Sequence, residues 1–394
     1  MDRRFFLRGA ALLGCSAAAH PWLTTVTLAG TPDGRLGDNR LVVVILRGAM
    51  DGLDVLRPVG DADFAALRPH LAMTPQAELD GFFALHGGLG GLMPLWQTGG
   101  LGFVHATSTP YRDKRSHFDG QDMLEAGTGM DVPLAQVRDG WLNRMLAVVP
   151  GLRAETAYAV GQEALAVLDG PAPMTRWAPD QKLRLSAQGR LLLEAIYHDT
   201  PMFQAAGAEA MDLADRFADD ATGAAVKGFA DVDRLVDFAA ARLSDATRIA
   251  AFSLSGWDTH RNQQSAILRP LSRLERVILR MQQQMGAQVW ARTLILCMTE
   301  FGRTVQENGS AGTDHGTAGA MVMAGGALRG GRVFGAWPGL AEVALYDRRD
   351  LRPTSDVRAW AAWAMRGLYG LDRAVLETAI FPGLQMGPDP KLVL

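Results

Sequence analysis

Residues 41–48 read Leu-Val-Val-Val-Ile-Leu-Arg-Gly and decide the fold class. Six consecutive apolar residues, four of them β-branched, predict a strand that is buried on both faces and ends at Arg47-Gly48. Similar runs, each soon followed by glycine or charged residues, occupy residues 101–105, 249–254, 293–298 and 320–324. Segments with helical periodicity, such as residues 271–284, lie between them. This alternation predicts an α/β protein with a mostly parallel central sheet and helices on both faces.

The composition narrows the possible partners. The chain has 394 residues, of which 48% are hydrophobic and 21% charged, so a large globular core can form. A formal net charge of −3 without long Lys or Arg runs argues against binding to nucleic acid. No Gly-x-Gly-x-x-Gly motif follows a strand, which argues against a dinucleotide cofactor. A small-molecule or surface-polymer substrate is the natural expectation.

The N-terminus predicts export. Arg3 and Arg4, followed by Phe6 and Leu7, match the twin-arginine signal. A stretch rich in small and apolar residues follows, and a cleavage region precedes Gly30. We therefore predict a signal peptide at residues 1–29, the twin-arginine translocase as a partner during export, and a periplasmic or cell-surface location. The alternative is an ordinary N-terminal helix.

Residues 30–394 are predicted to form a single α/β domain. Between about 183 and 243 the pattern becomes Ala-rich, charged and helical, which indicates a helical insertion packed on the sheet or over its edge. After the signal, no apolar run approaches the length needed to span a bilayer. We therefore expect a mature chain without a transmembrane helix.

The two cysteines bear on processing. Cys15 follows Leu12-Leu13-Gly14 in a stretch that resembles a lipoprotein processing box, so lipid anchoring at Cys15 is an alternative to cleavage near residue 30. The other cysteine, Cys297, lies inside an apolar run. A cleaved mature chain therefore has no disulfide and depends on its core for stability.

Polar residues follow the predicted strands, at the edge where α/β folds form their crevices. They include the carboxylates and imidazoles that a divalent metal such as zinc requires. The candidates in short glycine-bearing loops are Asp51, Asp258, His260, Glu300, Asp314 and His315. The alternative is that each aspartate caps a turn.

A second candidate group follows the strand at 101–105. Ser116 is predicted to lie near a helix N-terminus beside Arg112, Lys114 and Arg115, a setting that favours an anion and a serine nucleophile. The alternative is that Ser116 is only a helix cap and that the basic residues are solvated. His117 adjoins Ser116 and is a candidate general acid, because the ordinary pKa of histidine lies near neutrality.

Six stretches carry a resemblance to a known family: Leu46 to Leu53, Arg115 to Asp119, Gly256 to His260, Glu300 to Thr304, Thr313 to Gly316 and Gly330 to Val333. Together they resemble domain-of-unknown-function family 1501, whose members are exported, are described as sulfatase-like and are related to the alkaline phosphatase superfamily. The resemblance covers nearly the whole mature chain.

This resemblance implies a three-layer sandwich of the alkaline phosphatase or sulfatase kind and two unequal metal sites. One would be held by Asp258, His260 and His315. The other would combine Asp51, Ser116 and Glu300, with Phe301 where a histidine is expected. We therefore expect one well-held divalent metal, zinc in the first instance and manganese or calcium as alternatives. A second register takes Asp314 and His315 as the Asp-His pair, but no later histidine would complete it.

The implied activity is hydrolysis of phosphate or sulfate esters. Ser116 would attack, and Arg47, Arg115 or Arg303 would clamp the substrate's oxygens. The competing hypothesis is a noncatalytic exported scaffold or binding protein acting in cell-envelope or surface-polymer assembly. Phe301 favours that hypothesis, as does the aromatic loop at 334–339 if it is exposed.

Overall fold

The computed structural model of the protein describes residues 36–112, 115–130, 139–161, 163–178 and 229–394. The predicted signal peptide, Cys15 and residues 183–228 of the predicted helical insertion lie outside these ranges. The part of the predicted insertion within the described ranges lies almost entirely in one helix, Ala230–Ser244.

Regular elements alternate along the chain. The strands are β1 (Arg40–Arg47), β2 (Leu56–Arg57), β3 (Gln76–Glu78), β4 (Ala84–His86), β5 (Leu101–Ser108), β6 (Ala157–Val160), β7 (Thr175–Trp177), β8 (Ile249–Ser255), β9 (Thr293–Met298), β10 (Gly319–Ala324), β11 (Val333–Phe334) and β12 (Ser355–Asp356). The α-helices are α1 (Gly52–Val55), α2 (Phe64–Leu67), α3 (Met93–Gln97), α4 (His117–Ala126), α5 (Trp141–Val148), α6 (Ala230–Ser244), α7 (Gln263–Ala266), α8 (Leu268–Trp290), α9 (Val357–Tyr369) and α10 (Arg373–Val375).

The central sheet is mostly parallel, as predicted. Its order is β11-β5-β10-β9-β1-β8-β6-β7, and β12 also pairs with β5. β1 lies between β8 and β9 and is parallel to both, with Leu41 opposite Ile249 and Leu294. β10 departs from this pattern, because it is antiparallel to β5 and β9. A separate three-stranded sheet has the order β2-β4-β3.

The five apolar runs correspond to β1, β5, β8, β9 and β10, and the predicted helix at 271–284 lies within α8. β6, β7, β11 and β12 are only two to four residues long and escape detection by hydrophobic pattern. Such strands are too short to show a period of their own.

Two apolar layers cover the sheet. Alternate residues of β1 face opposite sides, as a strand requires. Leu41, Val43 and Ile45 pack with residues of α5 and α9 on one side. Val42, Val44 and Leu46 pack with residues of α6 and α8 on the other. The arrangement of helix, sheet and helix confirms the predicted α/β class.

Within the described ranges, no helix combines the length and the apolar character that crossing a bilayer requires.

His105 on β5 is a buried histidine with internal partners. It is 2% exposed, and its ring stacks on Phe83 with the centroids 5.3 Å apart. Nε2 lies 3.0 Å from the carbonyl oxygen of Leu56, and Nδ1 accepts from the Ala106 amide at 2.8 Å. Burial lowers the pKa of His105 from 6.5 to about 4. The folded protein therefore favours the neutral ring.

His105→Gln should make stability less sensitive to acid. Below pH 6.5 the unfolded chain protonates this histidine before the folded chain does. The free energy of unfolding of the parent protein therefore falls by up to about 1.4 kcal/mol per pH unit as the pH falls from 6.5 towards 4. Glutamine keeps an amide donor but does not titrate. Urea unfolding at several pH values between 7 and 4.5 should give a flatter profile for the variant, and parallel profiles would contradict this account.

Candidate metal centre

The candidate centre lies at the edge of the main sheet where β1, β8 and β9 end. These three strands are parallel, so the loops that follow them meet at that edge. β10 runs antiparallel to β9, and residues 313–316, which precede it, reach the same edge. β5 runs antiparallel to β10, which brings its carboxyl end and the start of α4 there as well. Five segments that are distant in sequence thus deliver side chains to one place.

Asp258, His260 and His315 form a compact triangle. The Nε2 atoms of His260 and His315 are 3.0 Å apart. Asp258 Oδ1 lies 3.0 Å from Nε2 of His260 and 3.3 Å from Nε2 of His315. Ligand atoms about 2.0–2.2 Å from a tetrahedral metal are about 3.3 Å from one another. The triangle therefore has the size that a divalent metal needs.

His117 borders this triangle from the start of α4. Its Nε2 lies 3.5 Å from Asp258 Oδ2. His117, Asp258 and His315 can each offer a ligand atom within 4.8 Å of the others. Nε2 of His117 is buried and has no hydrogen-bond partner. The carboxylates of Asp258 and then Glu300 raise the pKa of His117 to about 9. This imidazole nitrogen therefore lies beside the triangle, within ion-pair distance of Asp258.

Oxygen atoms on the outer side of each ring fix the histidine tautomers. The contacts are His117 Nδ1 to Glu300 Oε1 at 2.8 Å, His260 Nδ1 to Asp314 Oδ1 at 3.2 Å, and His315 Nδ1 to the Arg115 carbonyl oxygen at 2.8 Å. Each of these acceptors requires a proton on Nδ1, so a neutral ring carries its lone pair on Nε2. Lone pairs and a carboxylate then face one another, and a cation or bound protons must neutralise them. This pattern of outer partners is typical of metal-ligating histidines.

Asp258 provides the negative charge of the cluster. Partial burial opposes its ionisation, but His117, His315 and Arg303 outweigh that effect and hold the pKa of Asp258 well below its usual value. The side chains of Asp258 and His260 are 45% and 41% exposed. The cluster is therefore both charged and open to a solute.

Glu300 and Asp314 were expected as ligands, but their contacts to imidazole Nδ1 atoms place them outside the triangle. Glu300 is fully buried. Its Oε1 also accepts from the amides of Gly48 and Ala49, at 3.0 and 3.1 Å, and from Gln121 Nε2 at 3.1 Å. Glu300 therefore joins the turn after β1 to the histidine of α4.

Asp51 lies in a separate buried network. Its Oδ2 accepts from Arg68 at 2.7 Å and from Gln263 at 2.6 Å, and its Oδ1 caps the first turn of α1. Burial opposes its ionisation, but the Arg68 charge outweighs this and lowers the pKa of Asp51. Both carboxylate oxygens of Asp51, which the resemblance places in the second metal set with Ser116 and Glu300, thus accept hydrogen bonds from protein groups.

Arg303, an expected anion clamp, is fully buried. Its guanidinium donates to the carbonyl oxygens of Ala49, Gly48 and Thr313 at 2.8, 2.7 and 3.1 Å. It also pairs with Asp258. These contacts tie three loops together and position Asp258, and they occupy the donors that a substrate would need.

The other two expected clamps are also ion-paired. Arg47 contacts Glu125 at 2.8 Å and Glu163 at 3.1 Å. Arg115 contacts Asp350 at 2.9 Å. A substrate anion would have to displace these carboxylates, so the contacts do not favour a clamping role.

Ser116 occupies the N-cap position of α4, but its side chain makes no capping hydrogen bond. Its amide donates to the Tyr111 hydroxyl at 3.1 Å. The Ser116 hydroxyl is therefore not used as a helix cap, and it adjoins His117 in the chain.

Phe301 stands where the resemblance leads us to expect a histidine. It is 2% exposed. Its ring stacks on His117 with the centroids 5.3 Å apart and lies 5.2 Å from the ring of His315. This position supplies an apolar floor for two imidazoles.

Gln263 carries no signal in the sequence, yet it organises the loops of the site. Its amide nitrogen donates to Asp51 and Asp54 at 2.6 and 2.9 Å. Its oxygen accepts from Thr259 and Thr313 at 2.8 and 2.7 Å. It therefore links the two loops that carry the histidines of the triangle, and only its burial in a polar network identifies it.

Comparisons with known proteins agree with the sequence resemblance. The family model described as "Protein of unknown function (DUF1501)" matches residues 106–357. No curated protein shows significant sequence similarity to the chain. Among solved structures, the chain is similar to a protein in the alkaline phosphatase superfamily from Vibrio parahaemolyticus, with 11% identity, a TM-score of 0.37 and coverage of 74% of this chain and 62% of that one. It is also similar to the C-terminal periplasmic domain of EcEptC from Escherichia coli in complex with Zn, with 9% identity, a TM-score of 0.37 and coverage of 73% of each chain. The chain thus spans less than two thirds of the Vibrio protein.

Proposed function

The chain belongs to the family described as "Protein of unknown function (DUF1501)", and we propose that it is a metal-dependent hydrolase of phosphate or sulfate esters. The metal would be held by Asp258, His260 and His315. The observation that carries this proposal is the triangle of potential ligand atoms, 3.0–3.3 Å apart, with both histidine Nδ1 atoms tied to oxygen acceptors.

Two nitrogen donors and one carboxylate oxygen form a ligand set that zinc accepts while keeping a position for substrate. When bound, the metal supplies a Lewis acid beside the phosphoryl or sulfuryl oxygens of the ester. The protein's part is to orient its ligands. Asp314 and the Arg115 carbonyl hold the two imidazoles, and Arg303 holds Asp258.

Ser116 is the proposed nucleophile. Its hydroxyl would lose its proton to solvent, and Oγ would form a bond to phosphorus or sulfur while the bond to the leaving oxygen breaks. His117 would supply a proton to that oxygen from Nε2, because Glu300 holds its Nδ1 and leaves Nε2 facing the cluster. Water would then release the phosphate or sulfate from Ser116.

We also propose that the protein acts outside the cytoplasm. The support is the twin-arginine motif at Arg3 and Arg4, with residues 1–29 as the signal. Attachment through Cys15 is the lipid-anchored alternative. A periplasmic or cell-surface ester would then be the substrate.

The noncatalytic alternative rests on Phe301 and on the aromatic loop at 334–339, if that loop is exposed. Phe334 is only 8% exposed. Trp337 donates to Asp61 at 2.9 Å and packs edge-on against His105, with the ring centroids 4.8 Å apart. Both rings therefore pack inward and do not form a docking patch.

Ser116→Ala tests the proposed chemistry. The protein would be loaded with zinc, manganese or calcium and assayed with p-nitrophenyl phosphate, bis(p-nitrophenyl) phosphate and p-nitrophenyl sulfate. We expect metal-dependent turnover of at least one ester, and kcat at least about a hundredfold lower in the variant with an unchanged metal content. Ser272→Ala on α8, which removes a hydroxyl bonded to the Leu268 carbonyl, is the matched control. No turnover by the metal-loaded parent, or full activity of Ser116→Ala, would contradict the mechanism.

A further inference from the structure

A cavity of about 530 Å³ lies beside the metal centre but outside it. Residues 304–308 and 340–349 contribute most of its lining, and Asp314 belongs to its wall. Asp314 also contacts His260 Nδ1 at 3.2 Å. One imidazole ring therefore separates the cavity from the cluster at Asp258. Its volume falls in the range of pockets that hold small organic ligands.

One part of the cavity is apolar. Leu67, Val305, Leu340 and Leu345 line it. The last three are 1%, 2% and 6% exposed and pack in one hydrophobic cluster, with Leu67 against it. This floor offers a hydrocarbon or aromatic group a surface that is already fixed by the core.

Two arginines, Arg348 and Arg349, line the same cavity. They lie on a tight turn closed by backbone hydrogen bonds of 2.8 and 3.0 Å between Tyr346 and Asp350. Asp347 and Arg348 have φ of 51° and 54°, in the left-handed region that costs a non-glycine residue energy. The fold thus holds a strained turn that presents two cations.

These arginines have weak partners. Arg348 lies 3.5 Å from Glu342, and both side chains are more than two thirds exposed, at 75% and 68%. Arg349 lies 3.2 Å from Asp350 Oδ1, but the other oxygen of that carboxylate already accepts from Arg115. The exposed Arg348 pair contributes little to stability, so the Arg348 guanidinium can turn to a ligand at small cost. Asp350 is fully buried, but it keeps Arg115 and Thr317 as hydrogen-bond donors when Arg349 turns to a ligand.

Two of the three acidic residues of the wall, Glu307 and Asp314, have closer partners than the third, Glu342, which lies 3.5 Å from Arg348. Glu307 accepts from the amides of His70 and Leu71, at 3.0 and 2.7 Å, and is 6% exposed. Asp314 accepts from Asn308 at 3.0 Å as well as contacting His260. The charges of Glu307 and Asp314 are thus stabilised by protein groups, and a ligand anion would compete with Glu342 alone for Arg348.

We propose that this cavity binds an organic anion, with its acid group on Arg348 and Arg349 and its apolar part on the floor of Leu67, Val305, Leu340 and Leu345. A phosphate, sulfonate or carboxylate with an attached hydrocarbon or ring fits this description. The site is distinct from the metal centre and needs neither metal nor turnover.

The test uses 8-anilinonaphthalene-1-sulfonate, an aryl sulfonate whose fluorescence rises in an apolar site. We expect saturable binding to the metal-free mature protein and a Kd at least about tenfold higher in Arg348→Gln/Arg349→Gln. Gln306→Trp, which places an indole on the cavity wall and keeps both arginines, should weaken binding similarly. Near-ultraviolet circular dichroism would verify that each variant is folded.

Arg269→Gln/Arg292→Gln is the matched control, because it removes two exposed arginines away from the cavity. Arg292 has a comparably loose partner, Asp38 at 3.6 Å. The Kd of this control variant for the aryl sulfonate should stay within about twofold of the parent's, although the variant loses the same charge as Arg348→Gln/Arg349→Gln. Absence of saturable binding in the parent, or parental affinity in both cavity variants, would overturn the proposal. Because the assay is free of metal and substrate, its failure leaves the proposed hydrolase activity unaffected.

Discussion

Asp258→Ala/His315→Ala should abolish zinc binding by the purified mature protein. The double variant removes two corners of the triangle and leaves His260 Nε2 without another donor within 3.0–3.3 Å. The parent should retain about one zinc per chain after dialysis, and the variant almost none, because a single exposed imidazole does not hold the ion. Inductively coupled plasma mass spectrometry measures the content, with manganese and calcium tested in parallel.

The control for that experiment is His70→Ala/Asp122→Ala. It also removes one histidine and one aspartate, but from exposed positions outside the centre; the His70 side chain is 70% exposed. Thermal unfolding of both variants shows whether the fold is retained. If the parent binds none of the three metals, or if a folded double variant binds as the parent does, the proposed site is wrong. Ester hydrolysis should disappear together with the metal.

Arg68→Met should destabilise the protein by about 3–5 kcal/mol, because it leaves a buried carboxylate without its cation. Arg68 and Asp51 are each 1% exposed and lie 2.7 Å apart. Arg68 also donates to the carbonyl oxygens of Thr304 and Val305 at 2.7 and 2.9 Å. Equilibrium unfolding in urea measures the loss. The loss should be smaller at pH 5 than at pH 8, because without Arg68 the pKa of buried Asp51 rises and the protonated acid needs no cation.

Arg276→Met provides the matched comparison. Arg276 makes two hydrogen bonds to Asp233, both 2.7 Å long, between helices α8 and α6. Its side chain is 44% exposed, so the loss should stay below about 1 kcal/mol. Equal losses of unfolding free energy in Arg68→Met and Arg276→Met would contradict the larger effect that we expect from burial of the Arg68–Asp51 pair.

The sheet could be predicted because its strands carry their own signal. Runs such as 41–46 and 293–298 are apolar throughout, and β1 and β9 are buried at nearly every position. The antiparallel direction of β10 could not be predicted, since strand direction depends on the path of the connecting chain. The short strands β11 and β12 form only because β5 lies beside them.

The candidate site was predictable as a group of residues but not as an arrangement. Asp258, His260 and His315 follow or precede strands and carry metal-binding chemistry, and the structure places them together. The expected roles of Arg303 and Asp51 depend on burial, which their sequence neighbours do not reveal. From sequence alone, a charged residue that follows a strand is predicted to be exposed. Arg303 is instead 1% exposed and donates hydrogen bonds to carbonyl oxygens of another loop.

The sequence by itself determined the α/β class, the ends of the strands and the chemistry available at them, because these follow from hydrophobic pattern and residue type within short windows. Only the tertiary structure decided which nitrogen of each histidine faces the cluster and which carboxylates serve as outer partners. These choices depend on contacts between distant residues, such as His117 with Glu300, 183 positions apart, and Arg303 with Gly48, 255 apart. Folding brings those partners together, so the cluster of Asp258, His260 and His315 exists only in the assembled fold.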